Sequence, residues 1–371
     1  MKILYGVTGE GMGHAMRSRV VLEHLVKQGH DIKIMSSGRA ADFLSKRFEG
    51  VNRIHGLHIV YDENRVRPGK TLWSNLAKST VGVPQNIAAY FELIGQFEPE
   101  LVISDFESWT HMYAMAHALP IISVDNMQII NRCRHKKKIL GEERAWFEFT
   151  RAFVRTKLPW CDHYIITTFF YPELRKKRTT LVPSILRPEI LDAKRGTKRG
   201  DHLLVYQSGE GFDDLANVLQ RSGIECRVYG MRRDLKEDQI EGNVRYRPFS
   251  ESQFIEDLAT SRAVVAGAGF TTMSECVYLG KPLLAIPLKG QFEQLLNARY
   301  LEREGFGQCA QTIDDETLSS FLKRVSKHED ALGRYKQEGN TVALRTLDEQ
   351  IDRAAAGMFN SLAKRLRAFV P

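Results

Sequence analysis

The chain has 371 residues, 43% of them hydrophobic, which is enough for two ordinary domains with sizeable cores. No apolar run is long enough to cross a bilayer, and the stretch from Met1 to Gly6 is too short for the core of a signal peptide. The formal net charge of +8 attracts nucleic acid, an anionic membrane or an anionic substrate, but does not choose among them. In chain order, the first element is a short apolar strand, Ile3–Val7, followed by the glycine loop Gly9-Glu10-Gly11-Met12-Gly13-His14. A helix follows with Val21, Leu22 and Leu25 on one face and Gly29 as its stop. Strands are predicted at Ile32–Met35, Leu101–Ser104 and Ile121–Val124. The polar, basic stretch Arg187–Asp201, with Pro188, Gly196 and Gly200, is predicted as a linker.

After the linker the strand–turn–helix theme restarts. Strands are predicted at Leu203–Tyr206, Cys226–Tyr229, Val244–Tyr246, Val264–Val265 and Leu283–Ile286. Short, continuously apolar strands alternating with helices imply parallel sheets covered on both faces. The expected fold class is therefore α/β, with two Rossmann-like domains facing a central cleft. Ligands of such sheets bind at the carboxyl ends of the strands. The expected boundaries are 1–186 for the first domain, 187–201 for the linker, 202–345 for the second domain and 346–371 for a C-terminal helix packing back toward the first. That helix places Phe359, Leu362, Leu366 and Phe369 on one face, which suits packing or a membrane surface.

The most informative segment runs from Gly267-Ala268-Gly269-Phe270-Thr271-Thr272 to Glu275. A glycine turn between a strand and a helix lets a phosphate approach the backbone, where the helix N-terminus offers free N–H groups and partial positive charge. Thr271 and Thr272 add hydroxyl donors. Glu275, further along the helix, is placed to accept hydrogen bonds from vicinal ribose hydroxyls. Gln291, Glu293 and Gln294 crowd the start of the next helix, either as sugar-binding groups or as a solvated helix start.

In the N-terminal loop, the spacing departs from the GxGxxG dinucleotide fingerprint and the next strand ends in Ser36-Ser37 rather than an acid, which argues against NAD. His14 is a candidate general base, because neutral imidazole suits proton removal near neutral pH, or a donor to the departing phosphate, or else a residue that caps or packs against the helix. Asp105, with Glu107 two residues on, is the second candidate base and Asp125 the third; each could instead cap a helix.

The segment from Gly267 to Ala298 resembles the donor-site signature of GT-B glycosyltransferases. It is most similar to the group holding the peptidoglycan UDP-N-acetylglucosamine transferase and monogalactosyldiacylglycerol synthase. The likeness is close there and loose over the rest of the chain. It implies that Glu275 holds the ribose, that Glu293 and Gln294 hold sugar hydroxyls, and that Phe249 in Arg247-Pro248-Phe249-Ser250 caps the uracil, though Phe249 could equally be core. It implies that Gly11 and Gly13 belong to the GxGH loop, which lines the acceptor side of the cleft and contacts the donor phosphates, and that Ser208 and Gly209 lie in the loop facing the diphosphate, where Glu210 departs from the family pattern.

The expected function is transfer of a sugar from a nucleotide-sugar, UDP-linked by resemblance, to a hydroxyl acceptor, lipid-linked or glycan, by metal-independent inverting displacement. No cofactor is expected, since the nucleotide-sugar is a substrate. No DxD metal clamp is seen; Asp213-Asp214 reads as complementing a helix dipole. The alternatives are a UDP-sugar 2-epimerase on the same scaffold and a nucleic-acid binder; no nucleic acid is expected as a partner. Basic runs at Arg132–Lys138, Arg151–Lys157 and Arg175–Arg178 are interleaved with Trp146, Phe147, Phe149, Phe153 and Trp160, so they are either solvated helix faces or, as in the resembled enzymes, contact with an anionic bilayer. Five scattered cysteines without a CxxC pair fit a reducing compartment, so the expected location is the cytoplasm, peripheral to its membrane if contact is made.

Overall fold

A computed structural model of the chain describes residues 1–9, 11–54, 61–62, 65–66, 97–207 and 214–359. The chain divides into two compact units. The first gathers the chain up to Ile185, without Tyr61–Val66, and again from Glu338; the second holds Tyr61–Val66 and Leu186–Gln337.

In the first unit, β1 (Lys2–Val7), β2 (Asp31–Ser36), β3 (Val51–Arg53), β6 (Leu101–Asp105), β7 (Ile121–Asp125), β8 (His163–Thr168) and β9 (Thr179–Pro183) form one sheet in the order β3-β2-β1-β6-β7-β8-β9. Every pairing in it is parallel. The two short strands β4 (Tyr61–Asp62) and β5 (Arg65–Val66) pair only with each other. β6 and β7 are buried at every position, which is why they read as unbroken apolar runs rather than alternating ones. The helices are α1 (Met12–Lys27), α2 (Gly38–Ser45), α3 (Ser108–His117), α4 (Ile129–Arg132), α5 (Lys137–Leu140) and α6 (Arg144–Lys157). Chain order reverses direction across the sheet between β1 and β6, so the segments leaving these two strands part to opposite sides and open a crevice. Close approach at that point depends on Gly6, where a Cβ would sit 2.1 Å from Thr110 Oγ1.

The second unit repeats the plan. It contains α7 (Pro188–Ala193), β10 (Leu203–Tyr206), α8 (Leu215–Arg221), β11 (Cys226–Tyr229), β12 (Gln239–Glu241), β13 (Val244–Arg247), α9 (Glu251–Thr260), β14 (Ala263–Gly267), α10 (Phe270–Leu279), β15 (Leu283–Ile286), α11 (Phe292–Arg303), β16 (Gly307–Cys309) and α12 (Asp315–Leu332). Its sheet order is β12-β13-β11-β10-β14-β15-β16, with only the edge strand β12 antiparallel. The reversal here lies between β10 and β14.

Two expectations change. Arg187–Asp201, expected as a linker, carries α7 and a 3-10 turn at Lys194–Gly196, with Ile190 fully buried. Pro188 at the first helical position presets the helical φ and hides the missing N–H, so a proline that reads as a loop signal starts a helix. The last described helix, α13 (Thr341–Ala355), begins before the expected position 346 and sends Ala343, Leu347 and Ile351 into the core of the first unit, with Phe359 beside them. Leu362, Leu366 and Phe369 lie outside the described residues. No helix among the described residues is long and apolar enough to cross a membrane.

Candidate functional site

In the first unit the site grows from the crevice between β1 and β6. Gly11, with φ of 85°, takes a conformation that a side chain disfavours and forms the N-cap of α1. Gly13 and His14 follow in the first turn of α1, which has neither a side-chain cap nor an acidic residue. At the end of β6, the Ser104 hydroxyl closes a turn by accepting from Glu107 N at 2.9 Å. Phe106 sits within that turn at φ of 57°, a strained position for a residue with a Cβ. Its ring lies over that of His14, 6.5 Å between centroids and 17° between planes.

Asp105 is fully buried. Its Oδ1 lies 2.7 Å from His14 Nδ1, and its Oδ2 accepts from Arg17 Nε at 3.0 Å and from Ser18 Oγ at 2.9 Å. Arg17 also donates through Nη2 to Oδ1 and through Nη1 to Asn126 Oδ1 at 3.1 Å. Burial pushes the Asp105 carboxyl up, but the Arg17 guanidinium and then His14 outweigh it and hold the group below the usual carboxylate range. His14 Nδ1 is also 2.9 Å from Arg17 Nη2, and one ring nitrogen cannot serve both neighbours. A lone pair at Nδ1 would face the carboxylate oxygen, so Nδ1 carries the proton and donates to Asp105. Nε2 is then the nitrogen with a lone pair, on a side chain that is 18% exposed. This is the arrangement in which a carboxylate fixes the tautomer of a basic imidazole.

The expectation that Asp105 itself removes a proton is corrected here: it has no exposed surface and spends its oxygens on three neighbours, so it positions His14. Asp125 is buried as well, accepting from Ser123 Oγ at 2.6 Å and Gln128 N at 2.8 Å, with burial pushing its carboxyl up. Glu107 caps α3 through Trp109 N and Thr110 N.

In the second unit the carboxyl ends of β13, β14 and β15 carry the expected donor residues that are described. Neither Gly267 nor Gly269 has a positive φ, and a Cβ at Gly269 would meet nothing within 4 Å. The fold therefore does not require glycine at 269, and its absence of a side chain keeps space open before α10. That helix has no side-chain cap and no acid in its first turn. Thr271 and Thr272 are partly exposed there, whereas the Phe270 side chain is buried. Phe249 is 64% exposed just past β13, which removes the alternative that it is core. Beside α11, Gln294 accepts from Leu288 N at 3.0 Å and donates to Gln291 Oε1 at 2.6 Å, while Glu293 accepts from Asn297 Nδ2. These bonds shape the turn that leads from β15 into α11. Ser208, Gly209 and Glu210 lie outside the described residues.

Glu275 departs most from expectation. It is 2% exposed, and Arg187 engages both its oxygens, Nε at 2.8 Å and Nη2 at 3.0 Å. Arg187 also reaches Glu251 Oε1 at 2.6 Å. Burial pushes the Glu275 carboxyl up against the pull of Arg187. In this structure the carboxylate anchors the chain at the start of the second unit rather than standing free for a ribose. Sequence reasoning missed Arg17, Ser18, Asn126 and Phe106 in the first unit and Arg187 and Glu251 in the second. It also missed Gln207, whose buried Nε2 has no hydrogen-bond partner among the described residues at the end of β10. Arg17 left one signal, lying three residues after His14 on the same helix face; Arg187 left none.

The model of glycosyl transferase family 1 matches residues 1–326. An uncharacterized glycosyltransferase of Methanosarcina mazei is 25% identical over 369 residues, covering 91% of this chain and 94% of that protein. The UDP-N-acetylglucosamine–N-acetylmuramyl-(pentapeptide) pyrophosphoryl-undecaprenol N-acetylglucosamine transferase of Rhizobium etli is 20% identical over 401 residues, with 99% of each chain covered. Among solved structures, the glycotransferase of kitacinnamycin superposes with a TM-score of 0.67 at 15% identity, covering 94% of this chain and 99% of that one. A spinosyn rhamnosyltransferase complexed with thymidine diphosphate gives 0.63 at 16% identity, covering 94% and 100%.

Proposed function

Since the chain belongs to glycosyl transferase family 1 and is a glycosyltransferase of the GT-B type, we propose that it moves a sugar from a UDP-linked donor to an acceptor hydroxyl with His14 as the general base. The observation that carries this reading is the 2.7 Å contact between the buried Asp105 Oδ1 and His14 Nδ1, which favours the proton on Nδ1 and assigns Nε2 as the base. Nε2 takes the hydroxyl proton, the oxygen attacks the anomeric carbon, and the bond to the nucleotide diphosphate breaks with its electron pair leaving on the phosphate. A single displacement of this kind inverts the anomeric centre. The uncapped start of α10 supplies N–H groups and partial positive charge for the departing diphosphate, which does the work a metal would otherwise do. Retained turnover in excess EDTA is the expected result.

Uridine is supported by a relative, matched over 99% of each chain, whose name carries UDP-N-acetylglucosamine, and by the exposed ring of Phe249, which suits stacking on a base. Phe249→Ala should leave thermal stability unchanged, since the ring is largely in solvent, and weaken UDP binding about tenfold or more, measured by calorimetry. A lipid-linked acceptor is supported by the undecaprenol in the same relative's name. It is also supported by the exposed Phe149 and Phe153 on α6, a helix that also carries Arg144, Arg151, Arg155 and Lys157.

The deciding experiment incubates the protein with UDP-sugars in the presence and absence of hydroxyl acceptors and follows UDP release. Acceptor-dependent release with an inverted glycoside supports the reading. Conversion of the donor sugar without an acceptor would replace it by epimerisation.

A further inference from the structure

The basic runs of the first unit do not all spread over solvated helix faces. Arg132, Arg155, Lys176 and Arg178 converge with Trp160 and Tyr164 on a cavity of about 310 Å³. Trp160 and Arg178 stand just before β8 and β9. The cavity therefore lies toward the amino ends of these parallel strands, whereas His14 and Asp105 sit at the carboxyl end of the same sheet.

The cavity is built rather than incidental. Arg132 is only 7% exposed, stacked 3.6 Å over the ring of Tyr164, with Nε donating to Thr179 Oγ1 at 2.6 Å and Nη2 to the Lys177 carbonyl. Lys176 is held by Asn131 Oδ1 at 2.7 Å. Among the described residues no carboxylate forms an ion pair with any of the four cations; nearby, Glu148 pairs with Arg151 and Glu173 with Arg134. Four cations are thus gathered against neutral partners. Burial and the charges of Arg175, Arg132, Arg155 and Arg151 push the Lys176 ammonium down to about 8, a measure of how poorly the cluster is compensated. Among the described residues, two of the five non-glycine positions with positive φ, Trp160 at 56° and Arg178 at 58°, line this one cavity. Strained backbone of this kind persists where the surroundings impose it, and clusters at ligand sites.

We propose that this cavity is a second ligand site, binding a phosphate or diphosphate group, separate from the site of sugar transfer. A carboxylate would offset one of the four charges; a phosphate offsets about two and a diphosphate more. The planar guanidinium forks match phosphate oxygens in pairs. The volume suits one small ligand. Trp160, 63% exposed, gives an apolar face to whatever carries the phosphate.

The test titrates inorganic pyrophosphate into the full chain by calorimetry at saturating UDP, which occupies the donor site. One further site is expected, weakened at least tenfold in the double variant Arg155→Gln/Lys176→Gln, whose UDP affinity and melting temperature stay unchanged because both groups lack a charged partner. A second arm tests vesicles of phosphatidylglycerol in phosphatidylcholine. Vesicle binding that pyrophosphate displaces and the variant loses identifies a lipid headgroup as the source. Pyrophosphate binding alone, with vesicle binding equal in both proteins, identifies a soluble phosphate. Absence of the pyrophosphate site or equal affinity in the variant would overturn the proposal.

Discussion

Replacing His14 by alanine should lower kcat by about 10²–10⁴-fold, the usual contribution of a positioned base, while UDP affinity changes little. The side chain is 18% exposed and its one clear hydrogen bond runs to Asp105. Asp105 keeps Arg17 and Ser18 when the imidazole is removed, so no buried charge is left unpaired and the melting temperature should hardly move. The check is steady-state kinetics with saturating donor, beside calorimetry with UDP and a thermal melt. Activity near the parent level would remove His14 as base. A large loss of UDP affinity with kcat intact would move it to donor binding.

The second large effect is on stability. Arg187→Met should destabilise by about 3–5 kcal/mol, because it leaves the Glu275 carboxylate buried without its counter-charge. For a unit of this size that lowers Tm by on the order of 10 °C. The sign of the pH dependence follows from Glu275. Its folded pKa is already raised by burial, and loss of Arg187 raises it further. A raised carboxyl contributes stability that is present below its unfolded pKa and lost as pH rises through the folded value. The deficit of the variant should therefore be small under mildly acidic conditions and grow toward alkaline pH. The double variant Arg187→Met/Glu275→Met removes both charges and should recover most of the loss. A deficit independent of pH, or no recovery in the double variant, would show that Arg187 acts by packing alone. Glu275→Gln separates this anchoring role from the ribose role implied by resemblance. A stable protein with weakened UDP binding would keep Glu275 at the donor; a destabilised protein with normal binding would leave it an anchor.

Strand legibility followed burial. β1, β6 and β7 are continuous apolar runs and could be placed to within a residue or two from sequence. β8, His163–Thr168, is just as buried, yet its histidine, tyrosine and threonines disguise it; their polar atoms are satisfied within the fold, by nearby backbone for Tyr164 and Thr168 and by Thr180 on β9 for His163. The linker was misjudged for a related reason. Pro188 and a basic composition signal a loop locally, and only the pairing of Arg187 with Glu275, 88 residues away, shows that the segment is held in place.

The sequence by itself determined the two-domain parallel α/β plan and marked His14 and the glycine turn before α10, because strand periodicity, glycine and helix termini act over a few residues; Phe249 was marked by the family resemblance alone. Tertiary structure alone decided how the candidate carboxylates are held. Asp105 and Glu275 read alike as acids at the edge of a site, and each proved buried against an arginine, one orienting a histidine and the other anchoring a chain segment. The reason is that a carboxylate's role depends on its desolvation and on the charge facing it. Both are set by residues brought together across about ninety positions of chain, a distance that no local pattern encodes.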